Sequence, residues 1–288
     1  MKPNRSQLQP NRYRPRIWLT LAFMVLGALI LLQPEEAFSQ QPGAQTVAGV
    51  QDQVPRFEWS TCPVKAPASV ECGYLVVPEN RAQPEGRIIR LAVAILRSPN
   101  EEPAPDPVIY LEGGPGGSAL EGLDHWLTSP FLADRDLILL EQRGTQYSEP
   151  ALNCPELAKT YVDVWVAGLS DEEAAARELA AAIECRDRLR REGIDLAAYN
   201  SAASAADLDD LRQALGYDDW NLYGISYGTR LALTALRDSP DGIRSVVLDS
   251  VYPPPIDGYV NLPGNTERVF NQLFGDCAAD AACHAAYP

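Results

Sequence analysis

The chain has 288 residues, 46% of them hydrophobic, and carries 24 lysines and arginines against 39 aspartates and glutamates for a formal net charge of −15. That length suffices for one large α/β domain, or for a domain with an insertion. The acidic balance argues against nucleic acid and against an anionic membrane surface as partners.

In chain order, residues 1–39 read as a signal peptide. Lys2, Arg5, Arg12, Arg14 and Arg16 form a basic segment free of acids, followed by the apolar run Ile17–Leu32. The run falls short of the roughly 20 residues a membrane-spanning helix needs. Ala37-Phe38-Ser39 then supplies a small-x-small cleavage pattern, which puts the mature start near Gln40. An uncleaved N-terminal anchor is the alternative. The segment lacks an Arg-Arg pair and a cysteine at the cleavage point, which disfavours twin-arginine export and a lipoprotein anchor. The expectation is general secretory export to the periplasm or beyond the cell, with no stable membrane span after cleavage. Without the leader's five basic residues and two acids, the net charge is −18.

Residues 40–56 lack periodicity and read as a flexible lead-in, with an ordered core over 57–262. Short runs rich in Val, Ile and Leu recur at Tyr74–Val77, Ile88–Leu96, Val108–Leu111, Leu137–Leu140, Trp220–Ile225 and Val246–Leu248. Several are continuous rather than alternating, as in strands of a sheet covered on both faces. Helical patterns occupy Ala174–Arg191, Thr229–Arg237 and, after the break at Pro253-Pro254-Pro255, Asn265–Ala286. Ser204-Ala-Ala-Asp207 resembles a capping box with Asp in place of Glu, opening a helix with Leu208, Leu211 and Leu215 on one face. Two early strands followed by strand–helix alternation indicate an α/β fold with a mostly parallel sheet.

Six cysteines allow 15 connectivities. Sequential pairing, Cys62–Cys72, Cys154–Cys185 and Cys277–Cys283, closes the shortest loops and is the expected arrangement. A zinc site competes, but the sequence has no C-x-x-C pair, and His284 is the only histidine nearby. Structural disulfides in an oxidising compartment fit better, and neither metal nor cofactor is expected.

Gly224-Ile225-Ser226-Tyr227-Gly228 matches G-x-S-x-G between an expected strand and an expected helix, the context in which that serine is a nucleophile. Side chains at the glycine positions would collide with the neighbouring strand and helix. The helix N-terminus and the Tyr227 N–H face any oxyanion formed by attack. Glu112-Gly113-Gly114-Pro115-Gly116-Gly117-Ser118 follows the Val108–Leu111 run. It lacks the lysine of a phosphate-binding G-x-x-x-x-G-K-[ST] loop, so an oxyanion loop with Gly114 as donor is the better reading.

Together with these motifs, "ECGYLVVPEN", "YLEGGPGGS", "LILLEQRGTQYSEP", "AADLDDLRQALGYDDWNLYGISYGTRLAL" and "VVLDSVYPPP" resemble the proline iminopeptidase and tripeptidyl aminopeptidase family of α/β-hydrolase serine exopeptidases. The resemblance covers most of the chain after the leader. It implies Ser226 as nucleophile, Gly114 and Tyr227 as the oxyanion hole, and release of residues or tripeptides from peptide N-termini. Two departures stand out. The family's Asp-x-Arg-Gly-x-Gly-x-Ser is here Glu141-Gln142-Arg143-Gly144-Thr145-Gln146-Tyr147-Ser148. Glu141 is expected to pair with Arg143, and Gln146 to strain its turn. The family also places its catalytic Asp and His after further strands and a helical lid, and residues 263–288 read as the start of that lid. The expectation is therefore a C-terminally truncated hydrolase, weakly active or inactive alone, with a complementing C-terminal fragment as partner.

The triad order Ser–acid–His is also met by Ser226, Asp249 and His284. Against it, His284 sits in a cysteine-flanked helical stretch, whereas this fold draws its histidine from a loop after the last strand. His125 precedes the serine and reads as a helix-surface or pocket-lining residue. An esterase or lipase-like hydrolase, or a non-catalytic secreted binding protein, remain the alternative readings.

Overall fold

The computed structural model describes residues 54–288, so the signal-peptide reading and most of the lead-in lie outside the described residues. A seven-stranded sheet organises them, in the order β1-β2-β3-β5-β4-β6-β7. Its strands are β1 (Arg56–Ser60), β2 (Val70–Pro78), β3 (Ile88–Leu96), β4 (Val108–Leu111), β5 (Leu137–Leu140), β6 (Trp220–Ile225) and β7 (Ile243–Asp249). The pairings from β1 through β3 to β5 are antiparallel, and those joining β5, β4, β6 and β7 are parallel. The chain thus belongs to the α/β class, and its parallel half carries the motifs.

Alternation along each strand sends side chains to two separate cores. Leu75, Leu91, Ile95, Ile109, Leu111, Ile138 and Leu140 face one side. There they pack against α4 (Ser201–Leu215) and α5 (Tyr227–Asp238) through Leu208, Leu211, Leu231 and Ala232. Ala92, Ala94, Leu96, Tyr110, Leu137 and Leu139 face the other side, beneath the short helix α1 (Leu123–Trp126) and a 3₁₀ turn at Pro130–Ala133. Cover on both faces is why Leu137–Leu140 is apolar at every position, with all four residues buried.

A helical hairpin of α2 (Pro155–Ala167) and α3 (Asp171–Arg191) follows β5. Ser170 and Glu173 form a reciprocal capping box at the start of α3. Acids fill its first turn and arginines its last, as the helix dipole favours. The disulfide Cys154–Cys185 ties the hairpin, Cys62–Cys72 ties the lead into β2, and Cys277–Cys283 closes the C-terminal corner.

Two helix boundaries differ from the sequence reading. α4 opens at Ser201, because Asn200 in extended conformation accepts the Ala203 N–H and caps the helix a turn early. Ser204 and Asp207 are therefore buried helix-interior residues rather than a capping box. The Asn265–Ala286 stretch is two helices, α6 (Gly258–Ala279) and α7 (Ala281–Ala286). Asp257 caps the first through the Tyr259 and Val260 amides. Asp280 leaves helical geometry at the corner, and its carboxylate caps the second through the Cys283 N–H. Neither helix buries a residue, and β7 forms an edge of the sheet.

Candidate active site

β6 delivers Ser226 to the sheet's parallel end, and α5 begins at the next residue. Ser226 has φ 54° and ψ −118°, a backbone conformation that a residue with a Cβ rarely adopts. The surroundings hold it there. Its N–H donates to the Asp249 carbonyl at 2.9 Å, while its own carbonyl accepts from the Thr229 N–H at 3.0 Å and hydroxyl at 2.7 Å. The Thr229 hydroxyl in turn accepts the Tyr252 N–H at 2.7 Å. The flanking glycines are dictated by space. A Cβ on Gly228 would stand 1.9 Å from the Leu111 carbonyl oxygen, and one on Gly224 would stand 2.5 Å from that of Gly228. The turn leaves the Ser226 side chain exposed above the strand ends.

The glycine loop after β4 lies directly against this turn. A Cβ on Gly113 would be 3.1 Å from the Ile225 carbonyl oxygen and 3.7 Å from Ser226 Oγ. Gly114 and Gly116 have φ of 110° and 98°, open to glycine alone without strain. The Gly117 N–H closes the loop onto the Gly113 carbonyl at 3.2 Å. Gln142 Nε2 donates to the Glu112 carbonyl at 3.0 Å and fixes where the loop departs the strand. Tyr227 heads α5, so its N–H has no acceptor within the helix.

Glu141 and Arg143 do not pair with one another, contrary to expectation. Fully buried Glu141 accepts from Ser118 Oγ at 2.6 Å, the Leu120 N–H at 2.9 Å and Thr145 Oγ1 at 2.5 Å, and so anchors the far end of the glycine loop. These donors satisfy the carboxylate without a cation. Arg143 reaches α4 instead, where it makes a bidentate contact with Asp207 at 2.7 Å to each oxygen. Its Nη1 donates to the Glu79 and Ala198 carbonyls. Gln146 is also unstrained. It is exposed and absent from the positive-φ positions, the left-handed step being taken by Gly144 at φ 82°.

Asp249 ends β7, with its carbonyl on the Ser226 N–H and its carboxylate on other groups. Oδ1 accepts from Ser250 Oγ at 3.0 Å, and Oδ2 faces the Tyr223 hydroxyl at 3.4 Å. Burial, reinforced by the Asp249 charge, raises the Tyr223 phenol above its ordinary pKa. His284 lies on α7, its N–H on the Asp280 carbonyl. His125 lies exposed on α1, edge-on to Trp126. Among the described residues no hydrogen bond joins Ser226 Oγ to either histidine, so the structure brings together the serine and the glycine loop but does not link a histidine to them.

A cavity of about 550 Å³ opens beside the serine, its wall made by Tyr110, Trp126, Phe131 and Tyr223 with Glu112, His125 and Ile225 at its edge. The sequence reading passed over these aromatics. A signal existed: Tyr110 and Tyr223 are register partners across β4 and β6, each shortly before a motif glycine. A second cavity of about 340 Å³ lies across the glycine loop, between Pro115, Gln142, Asn200 and Tyr227.

A strand–serine–helix elbow with a glycine loop over it, on this sheet order, defines the α/β-hydrolase arrangement. The family model for the alpha/beta hydrolase fold matches residues 106–284, and the chain belongs to that family. Over 244 residues it is 29% identical to the serine protease Hip1 of Mycobacterium tuberculosis, covering 78% of this chain and 46% of that one. It is 32% identical over 213 residues to a tripeptidyl aminopeptidase of Streptomyces coelicolor, covering 70% of this chain and 39% of that one. Among solved structures, the proline iminopeptidase-related protein of Thermus thermophilus is similar at a TM-score of 0.34 and 24% identity, over 62% of this chain and 44% of that one. The chain spans less than half the length of these relatives.

Proposed function

We propose that this protein is a serine exopeptidase that cleaves residues or tripeptides from peptide N-termini through an acyl-enzyme on Ser226. The observation that carries the reading is the elbow itself: an exposed serine in a strained turn, with the glycine loop so near that a Cβ on Gly113 would stand 3.7 Å from its Oγ. Attack by Oγ on a peptide carbonyl forms the C–O bond. The oxyanion is received by the N–H groups of Gly114 and Tyr227, where one such donor contributes on the order of 10²–10³ in rate. Breaking the C–N bond releases the amine, which takes up a proton, and water then hydrolyses the ester and restores the serine. The similarity to a protein named as a tripeptidyl aminopeptidase supports peptides over esters.

The proton on Oγ needs a base, and neither histidine of the chain is hydrogen-bonded to it. In this reading, the acid and base come from additional polypeptide that seats against β7 and α6. Apolar side chains there support it, with Val247, Val260, Leu262, Leu273 and Phe274 all more than half exposed. Residues 54–288 alone then turn over slowly, retaining on the order of 10³–10⁴ over water as other serine hydrolases without a triad partner do. The disulfides support export to an oxidising compartment. Among the described residues no helix is long and apolar enough to cross a membrane.

The test compares tripeptidyl nitroanilides with free and acetylated N-termini, and short-chain nitrophenyl esters, each relative to its uncatalysed rate. The expected result is slow turnover that favours the free N-terminus and disappears in Ser226→Ala. A greater acceleration of the esters or of the acetylated peptide would overturn the exopeptidase reading.

A further inference from the structure

The cavity beside Ser226 combines aromatic faces with a carboxylate that accepts the Gly113 N–H and the Tyr110 hydroxyl but has no cation among the described residues. Tyr110 and Trp126 have ring centroids 4.2 Å apart, Phe131 and Tyr223 5.4 Å, and Trp126 and Tyr223 6.1 Å with the rings nearly perpendicular. Glu112 stands at the edge of this wall, half-buried, with its Oε1 on the Gly113 N–H at 2.7 Å. Other shielded carboxylates here have cations or several donors. Asp207 takes Arg143 and Arg81, Asp106 takes Arg135 and Arg244, and Glu141 takes three donors. No basic side chain among the described residues pairs with Glu112. Burial and the Glu112 charge both raise the neighbouring Tyr110 phenol, which therefore stays a neutral donor. A negative charge at the mouth of a cage of π faces is the recognition chemistry of an organic cation.

We propose that this cavity is the subsite for an organic ammonium group of the substrate, held by Glu112 against the rings of Tyr110, Trp126, Phe131 and Tyr223. The proposal rests on the serine-hydrolase reading for its relevance to substrate. Ile225 and Glu112 both line the cavity and directly precede Ser226 and the glycine loop, so the ammonium is bound close to the reacting carbonyl. At about 550 Å³ the space takes a residue-sized group rather than an isolated ammonium ion. Two sources share this chemistry: the α-ammonium of a peptide N-terminus and the side chain of a lysine.

Calorimetric titration of the full chain carrying Ser226→Ala tests the subsite without turnover. The probes are n-butylammonium and its neutral analogue n-pentanol, followed by trialanine amide and N-acetyl-lysine amide. Butylammonium is expected to bind at least tenfold tighter than pentanol. Adding Glu112→Gln should remove that preference at an unchanged thermal midpoint, and Phe131→Leu should weaken butylammonium severalfold. Tighter binding of trialanine amide assigns the α-ammonium, and tighter binding of N-acetyl-lysine amide assigns the side chain. Equal binding of butylammonium and pentanol, binding of neither, or a preference that survives Glu112→Gln would overturn the proposal. Because Ser226 is absent from the measurement, that failure leaves the nucleophile untouched. A failure of Ser226 to acylate would leave the ammonium binding standing.

Discussion

Ser226 is held in its strained conformation by the carbonyl at the end of β7 and by the Thr229 N–H and hydroxyl in the first turn of α5, that hydroxyl being fixed in turn by the Tyr252 N–H from the loop before α6. The glycines around it differ in what they protect, and substitution should separate them. Gly228→Ala drives a methyl into the Leu111 carbonyl and is expected to destabilise by at least about 1–3 kcal/mol, read from the urea midpoint. Gly116→Ala meets no atom within 4 Å but keeps a φ of 98°, so its cost is the backbone strain alone, roughly 1 kcal/mol or somewhat more. Gly275→Ala lies in helix α6 with open space around it and should stabilise by up to about 1 kcal/mol. A midpoint for Gly228→Ala equal to wild type would contradict the packing described for the elbow.

Elements were legible in the sequence where one local pattern decides them. β3, β4, β5 and β6 have the bounds that their apolar runs suggest, because burial on both faces makes most residues of such a strand apolar, and in β4 and β5 buries all of them. α2 and the short α1 carry no comparable signal: α2 buries nothing, and α1 is a single turn. The partners of Glu141 and Arg143 were misread for a different reason. Asp207 is 64 residues from Arg143, and no local spacing reports that contact. The Arg143–Asp207 pair is buried on both sides and joins the β5 exit to α4. Arg143→Ala leaves the buried Asp207 carboxylate with the half-buried Arg81 as its remaining cation and strips the Glu79 and Ala198 carbonyls of their shared donor, and should cost up to about 3–5 kcal/mol in chemical denaturation. Arg143→Lys keeps the charge but loses the bidentate contact, and should fall between that variant and wild type.

For the molecule as a whole, the sheet is covered around β4 and β5 and open toward β7, where the strand alternates between half-buried and exposed residues. α6 adds Val269, Phe270, Leu273 and Phe274 to the apolar surface, each more than half exposed. Exposed apolar surface of this kind favours association. The full chain is expected to self-associate with rising concentration in sedimentation velocity. Phe270→Glu with Phe274→Glu should suppress that without lowering the thermal midpoint, since neither ring is buried. The sequence pointed to a serine and its glycine loop but not to a base for it, because the elbow motif is contiguous whereas a triad is assembled from distant loops.

If Ser226 is an acyl-transfer nucleophile, an activated ester labels it even when deacylation is slow. The chain would be incubated with p-nitrophenyl acetate and digested with trypsin, and the peptide spanning Gln213–Arg230 weighed. One acetyl group per chain is expected, on Ser226, absent from Ser226→Ala and slowed on the order of 10²-fold or more by removal of an oxyanion donor. Acetylation spread over surface lysines and serines, with Ser226 no faster than the rest, would contradict it.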